Sequence, residues 1–172
     1  GIPSLEECGD DLSVNASDWA TFEIEAQGHK LTIQSFEVTI LKVERAQIGW
    51  RDRSSDYNGT RKRKATRCID SENGVGDIDV TGSLDCCRSV MLVYGALLAI
   101  GRTWQEVTTI RCEDGGKKWY IDGRLVASTD QSDEDVVVFE EKLDRNAGSP
   151  VPAISAKGSF YVSNVEYCGY HY

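Results

Sequence analysis

Apolar and polar residues alternate along most of this chain, and the alternation predicts β-strands. Residues 19–26 and 159–167 show the period of two expected of strands that bury one face. Further strands are predicted over residues 29–44, 46–50, 75–80, 88–100 and 136–139. Within 29–44 the apolar positions shift from Leu31 and Ile33 to Phe36 and Val38. Because side chains cannot change face within a regular strand, we expect a bulge or break near Ser35.

Two Asp-Gly steps divide residues 104–128 into three strand-forming runs. Asp114-Gly115 and Asp122-Gly123 separate residues 104–113, 117–122 and 124–128. Glycine adopts positive φ without a Cβ clash and aspartate tolerates it, so each step predicts a tight antiparallel turn. The segment is therefore predicted to be a β-meander.

The number of predicted strands indicates the fold class. About ten to twelve short strands in one domain must bury an apolar face against another sheet. The sequence thus predicts an all-β, antiparallel β-sandwich over residues 1–172, with residues 1–18 as a polar N-terminal arm. Trp19 and Trp119 lie in alternating runs and are assigned to its core.

A resemblance to a known family rests on two segments. The run from Trp119 to Ala127, preceded by Thr108-Thr-Ile-Arg, resembles a hairpin of laminin G-like and pentraxin-like domains. Residues 158–167 are similar to the last strand of such domains. The resemblance covers about a quarter of the chain and implies a jelly-roll of the concanavalin A type. The adjacent Cys86-Cys87 departs from that family's pattern.

Cysteines and glycosylation sequons indicate the compartment. Six cysteines occur without a Cys-x-x-Cys pair and with only two histidines, which favours three disulfides over a zinc site. They are Cys8, Cys68, Cys86, Cys87, Cys112 and Cys168. Cys8 and Cys168 lie near the two termini and are the expected pair. Sequons at Asn15 and Asn58 agree with a secreted protein or an ectodomain.

Charge is unevenly distributed along the sequence. The formal net charge of −9 argues against nucleic-acid binding, and the apolar run 90–100 is too short to span a membrane. A basic loop nevertheless follows Trp50, the tryptophan expected to be exposed and to stack on a ligand. The predicted ligand-binding residues are Trp50, Arg61, Lys62, Arg63, Lys64 and Arg67. A sulfated glycan suits such a cluster, while a solvated loop and a processing site after Lys62-Arg63 are the alternatives.

An acidic stretch follows the basic loop. Asp77, Asp79 and Asp85 occur there without an intervening basic residue, and calcium is the candidate ligand of their carboxylates. The alternative is a plain acidic surface loop. No cofactor is otherwise required.

Recognisable catalytic motifs are absent from the sequence, which predicts a non-enzyme. The leading hypothesis is a secreted or ectodomain binding module for a glycan or an extracellular protein. One alternative is a structural or adhesion domain that forms a homo-oligomer or pairs with another subunit. The other is a polysaccharide-active enzyme on a jelly-roll scaffold.

Overall fold

The computed structural model describes residues 4–7, 12–26, 31–53, 66–72, 74–79, 104 and 107–170. These residues form ten strands and one short 3₁₀ turn, Arg145–Ala147, which confirms the all-β class. The strands are β1 (Ser4–Glu7), β2 (Leu12–Ala26), β3 (Leu31–Arg51), β4 (Thr66–Asp70), β5 (Gly74–Gly76), β6 (Thr108–Glu113), β7 (Lys118–Ile121), β8 (Arg124–Ser128), β9 (Val137–Val138) and β10 (Val151–Tyr170). Among these described elements there is no helix of the length and apolarity needed to cross a membrane.

The ten strands belong to one open, mixed sheet. Its order is β1-β2-β10-β3-β6-β7-β8-β9, and β4 and β5 branch from β3. The prediction of a purely antiparallel sheet is wrong in two places, because β1 pairs parallel to β2 and β9 pairs parallel to β8.

The two longest strands, β3 and β10, form the centre of the sheet. They pair antiparallel from Arg51 opposite Val151 to Leu31 opposite Tyr170. The sequence divided this part of β3 into two strands, and β10 into a loop followed by a strand. The expected irregularity near Ser35 is confirmed, since the register shifts on both sides of its pairing with Glu166. Ile33 and Phe36 are consequently both buried although their spacing is odd.

Strand β3 has two separate partners on its other side. Its residues 36–40 pair with β6, whereas Gln47 to Arg51 pair with β4. The basic loop predicted after Trp50 included Arg67, but Thr66–Asp70 is a fully buried strand. The predicted N-terminal arm likewise contributes β1 and the start of β2 to the sheet.

The predicted meander is confirmed as β6, β7 and β8. Asp122 and Gly123 have φ values of 49° and 83° and join Ile121 directly to Arg124, as in a type I′ hairpin. Asp114 and Gly115 also have positive φ, at 55° and 59°. Each turn therefore has the left-handed backbone that its Asp-Gly step predicts.

A large apolar cluster fills the inner side of the described sheet. Phe36 and Trp50 pack edge to face with ring centroids 5.2 Å apart, and Trp119 lies 5.1 Å from Phe139. Trp119 is fully buried, so its assignment to the core is confirmed. Trp19 is only partly buried, and its indole N–H donates to the carbonyl of Asp79 at 2.7 Å.

The cysteine positions are described in part. Cys112 is a fully buried free thiol, and burial raises its pKa well above the usual value. No disulfide joins Cys68 and Cys112 in this part of the chain. Cys8, Cys86 and Cys87 lie outside the described residues, and the side chain of Cys168 is not described. A free Cys112 does not fit the expected framework of three disulfides, which needs all six cysteines, and a disulfide among the other cysteines stays a prediction.

Candidate functional site

Trp50 is not the exposed stacking residue that its position beside a charged stretch predicted. Its side chain is 0% exposed. The reason is the hairpin between β6 and β7, which packs on the indole. A Cβ added to Gly116 would lie 3.1 Å from Trp50 Cδ1 and 3.0 Å from Leu143 Cδ1. The expectation that Trp50 stacks on a ligand at the surface is therefore wrong.

The basic loop is described only at its end. Arg61, Lys62, Arg63 and Lys64 lie outside the described residues, so their role in binding stays a prediction. Arg67 is part of β4, where only 8% of its surface is exposed. Its guanidinium carbon lies 5.9 Å from the centroid of the Phe139 ring. Arg67 is thus a buried cation and not a member of a solvated patch.

The acidic residues proposed for calcium have other contacts. Asp77 forms an ion pair with Lys142. Asp79 is buried, and its backbone N–H donates to Gln47 Oε1 at 2.7 Å. Asp85 lies outside the described residues, and within the described ranges no three His, Cys, Asp or Glu side chains form a group suited to a metal ion. Calcium binding stays a prediction.

A buried polar network holds the start of this acidic stretch. Asp70 accepts hydrogen bonds from Arg45 Nη2 at 2.7 Å and from Gln47 Nε2 at 2.8 Å. Arg45 also lies over the Trp19 ring, 5.3 Å from its centroid. Alternation within β3 places Arg45 and Gln47 on the face opposite to Ile48 and Trp50. The sequence contained that alternation, but the burial of both faces depends on contacts from β2 and β4.

A cleft lies beside the β6–β7 hairpin in the described part of the chain. It has a volume of about 350 Å³. Its lining combines four charged side chains with polar and apolar ones, contributed by four separated parts of the chain. The lining residues are Ile33, Gln34, Asp114, Gly115, Lys117, Asp130, Arg145, Ser149 and Pro150.

The β6–β7 hairpin is attached to β3 beside the cleft. The β3–β6 ladder ends at Phe36 opposite Cys112, and just beyond it the Gln34 carbonyl accepts the N–H of Gly115 at 3.0 Å. Arg145 crosses from the 3₁₀ turn and donates to the Gly115 carbonyl at 3.0 Å. The same guanidinium pairs with Glu141 at 2.9 Å. The hairpin is therefore fixed from two sides, which makes the cleft a preformed feature.

A second polar cluster lies on the outer face of the sheet, around Arg111. Its guanidinium contacts Glu37 at 3.2 Å, Glu113 at 3.5 Å and Glu166 at 3.0 Å. Burial lowers the pKa of Arg111, but the hydrogen bond and charge of Glu166 and the other carboxylates outweigh burial and raise it. The pKa of Glu166 is lowered by a hydrogen bond from Ser35 and by Arg111. One cation thus holds three carboxylates across three strands.

Replacing Ser35 with alanine is expected to raise the pKa of the Glu166 carboxyl toward 4.5, its ordinary value, because the largest cause of the depression is removed. A depressed folded pKa contributes stability above the unfolded pKa, and this contribution is lost as pH falls through the folded pKa. An NMR titration of the Glu166 side-chain carboxyl carbon measures the shift. The exposed Ser132→Ala variant is the control and should leave the titration unchanged, whereas an unchanged midpoint in Ser35→Ala would contradict the assignment.

Asn15 lies exposed on β2, where an attached glycan would project into solvent. Its Oδ1 accepts a hydrogen bond from Ser159 Oγ at 3.3 Å. Asn58 lies outside the described residues. Glycosylation at both positions stays a prediction.

No family model, curated protein or solved structure matches this chain. The resemblance to laminin G-like and pentraxin-like domains therefore stays a prediction. The arrangement itself offers a preformed polar cleft and a buried, unusually placed arginine. The cleft could not be located from the sequence, because its residues are far apart along the chain, and the burial of Arg67 was not predicted.

Proposed function

We propose that this protein is a secreted or ectodomain binding module that holds a short glycan in the cleft beside the β6–β7 hairpin. The observation that carries the proposal is the cleft itself, about 350 Å³ in volume and lined by charged, amide and hydroxyl side chains. This volume lies within the usual range for small-molecule sites, about 300–1,000 Å³. An exposed Asn15 and an even number of cysteines support the extracellular assignment.

The lining suits a ligand rich in hydroxyl groups. A hydroxyl both donates and accepts, so it pairs equally well with Lys117 and Arg145 or with Asp114 and Asp130. Ile33 and Pro150 provide apolar surface for the carbon face of a sugar ring. A ligand with a single strong charge would meet groups of both signs, which makes a neutral or zwitterionic glycan the better fit.

The proposed scaffold is the disulfide-stapled jelly-roll sandwich predicted from the sequence. One-sided burial supports it, since residues along β6 alternate between buried and partly exposed positions. The aromatic pairs in the core are consistent with apposed inner faces. Binding, not catalysis, is proposed, and the enzymatic alternative rests on the two carboxylates, Asp114 and Asp130, that line the same cleft.

Replacing Lys117 with alanine is expected to weaken glycan binding about tenfold or more, because a hydrogen bond to a charged group contributes about 1.5–3 kcal/mol. An array of defined oligosaccharides identifies the tightest binder, and calorimetric titration of that sugar compares the variants. Lys117 is exposed, so its removal should leave the fold intact. Lys157→Ala, which removes a partly exposed lysine of β10 that does not line the cleft, is the control.

Two results would contradict the proposal: absence of any glycan binding above background, or equal affinity in Lys117→Ala and the parent protein. Release of new reducing ends from the bound sugar would instead identify an enzyme. The self-association alternative is favoured by exposed Val138 on β9, the end strand in the described sheet order. A stable dimer in a sizing measurement, without glycan binding, would support that alternative.

A further inference from the structure

Two buried arginines in this protein have opposite surroundings. Arg45 is 6% exposed and pairs with Asp70 at 2.7 Å. Arg67 is 8% exposed, yet none of the ion pairs found among the described residues includes it. Its buried Nε also has no hydrogen-bond partner within those residues. A buried charge is costly unless it is paired, so Arg67 requires an explanation that Arg45 does not.

A second donor lies beside Arg67. Trp50 is directly opposite Arg67 in the β3–β4 ladder, and opposed residues project their side chains from the same face. The Trp50 indole N–H is buried and has no hydrogen-bond acceptor in the described part of the chain. Two neighbouring side chains thus present N–H donors, one of them cationic.

The aromatic residues around Arg67 strengthen the attraction of its guanidinium for an anion. The guanidinium carbon lies 5.9 Å from the centroid of the Phe139 ring, and Phe36 packs edge to face with Trp50. Aromatic walls exclude water, and an anion is attracted more strongly to a desolvated cation than to a hydrated one. The guanidinium also presents several N–H groups in a planar fork, a geometry that matches oxyanions.

We propose that Arg67, assisted by the Trp50 indole N–H, binds a small oxyanion group such as a sulfate or a carboxylate. The proposal is independent of glycan binding in the cleft, since neither residue lines it. Arg67 is thus again proposed to bind a ligand, but as a single buried arginine and not as part of an exposed basic loop.

Inorganic sulfate is the probe for this site. Thermal unfolding of the full chain is followed at increasing sodium sulfate, with sodium chloride at matched ionic strength as the reference. A specific site predicts a saturable rise in melting temperature above the chloride series, because a ligand that binds only the folded state stabilises it. Calorimetry with sulfate then gives the dissociation constant. The same calorimetric titration with a heparin disaccharide shows whether the site binds a sulfate ester as well as the free sulfate ion.

Arg67→Met is expected to abolish the saturable response, and Arg67→Lys to weaken sulfate binding about tenfold because the fork is lost. Arg124→Met, which removes an exposed arginine from β8, should keep the full response. Without sulfate, Arg67→Met should melt at the same temperature as the parent protein or higher, since an unpaired buried charge has been removed.

Several outcomes would overturn the assignment. One is a melting temperature of the parent protein that rises equally in sulfate and in chloride at matched ionic strength. Another is an Arg67→Lys variant that binds sulfate as tightly as the parent. A large drop in the melting temperature of Arg67→Met without sulfate would show that Arg67 is paired within the chain. If Arg67→Met fails to fold, that result counts against the proposal too.

Discussion

Replacing Asp70 with asparagine is expected to lower the free energy of unfolding by about 3–5 kcal/mol, the usual cost of removing one partner from a buried ion pair. Asp70 is 1% exposed and accepts from both Arg45 and Gln47. Its carboxylate also accepts the backbone N–H of Glu72 at 2.8 Å. Asparagine keeps the size of the side chain but removes the buried carboxylate that pairs with Arg45. Urea unfolding followed by tryptophan fluorescence measures the loss.

Glu72 provides the matched control for this prediction. It lies 3.8 Å from the same Arg45, but its side chain is largely exposed. Glu72→Gln removes the same charge at nearly the same place, and exposed pairs contribute only about 0–1 kcal/mol. Equal effects of the two substitutions would show that burial does not govern this network. A loss below about 1 kcal/mol for Asp70→Asn would contradict the network's role as an anchor.

The second large effect is expected at Gly158, in the middle of β10. Gly158 has φ of 137°, and a Cβ placed there would lie 2.3 Å from the Lys42 carbonyl oxygen and 2.5 Å from Val43 Cα. Both contacts are with backbone of the paired strand, which cannot move without disrupting the ladder. Gly158→Ala should therefore cost about 3 kcal/mol or more, since overpacking costs about 1–3 kcal/mol and backbone strain adds about 1–3 kcal/mol.

Gly123 separates these two contributions. It also has positive φ, at 83°, but nothing lies within 4 Å of its added Cβ. Gly123→Ala should thus show only the conformational cost of about 1–2 kcal/mol. The difference between the two variants, measured by urea unfolding, reports the collision at β10. If Gly158→Ala costs no more than Gly123→Ala, the close approach of β10 to β3 is not tight.

Local rules predicted the parts of the fold that neighbouring residues determine. The Asp-Gly turns of the meander follow from two dihedral preferences, and the irregularity at Ser35 follows from a phase change within six residues. The unusual length of β3 and β10 was not predicted. Their polar interior positions, such as Gln47 and Ser155, are buried by neighbouring strands that no local window contains.

The burial of Trp50 shows why the candidate site could not be predicted. Its position beside Arg51 and Asp52 indicated a surface residue, but a hairpin more than sixty residues later covers it. The cleft could not be predicted for the same reason, because Gln34, Lys117 and Arg145 meet only after the sheet has formed. Residue types alone gave a reasonable list of charged candidates. Which of them are paired, buried or available depends on contacts across the whole chain.

The place of β10 in the sheet has a consequence for biosynthesis. This strand is the last of the described strands in chain order, yet it lies between β2 and β3, which are synthesised long before it. Their ladders to β10 cannot form until the last strand has been synthesised, because β10 provides the hydrogen-bonding partners of both. Non-local pairing of this kind is slow and leaves strand edges exposed. In a nascent chain arrested before Val151, β2 and β3 would each lack the strand that pairs with one of their edges. Such exposed edges are natural substrates for chaperones.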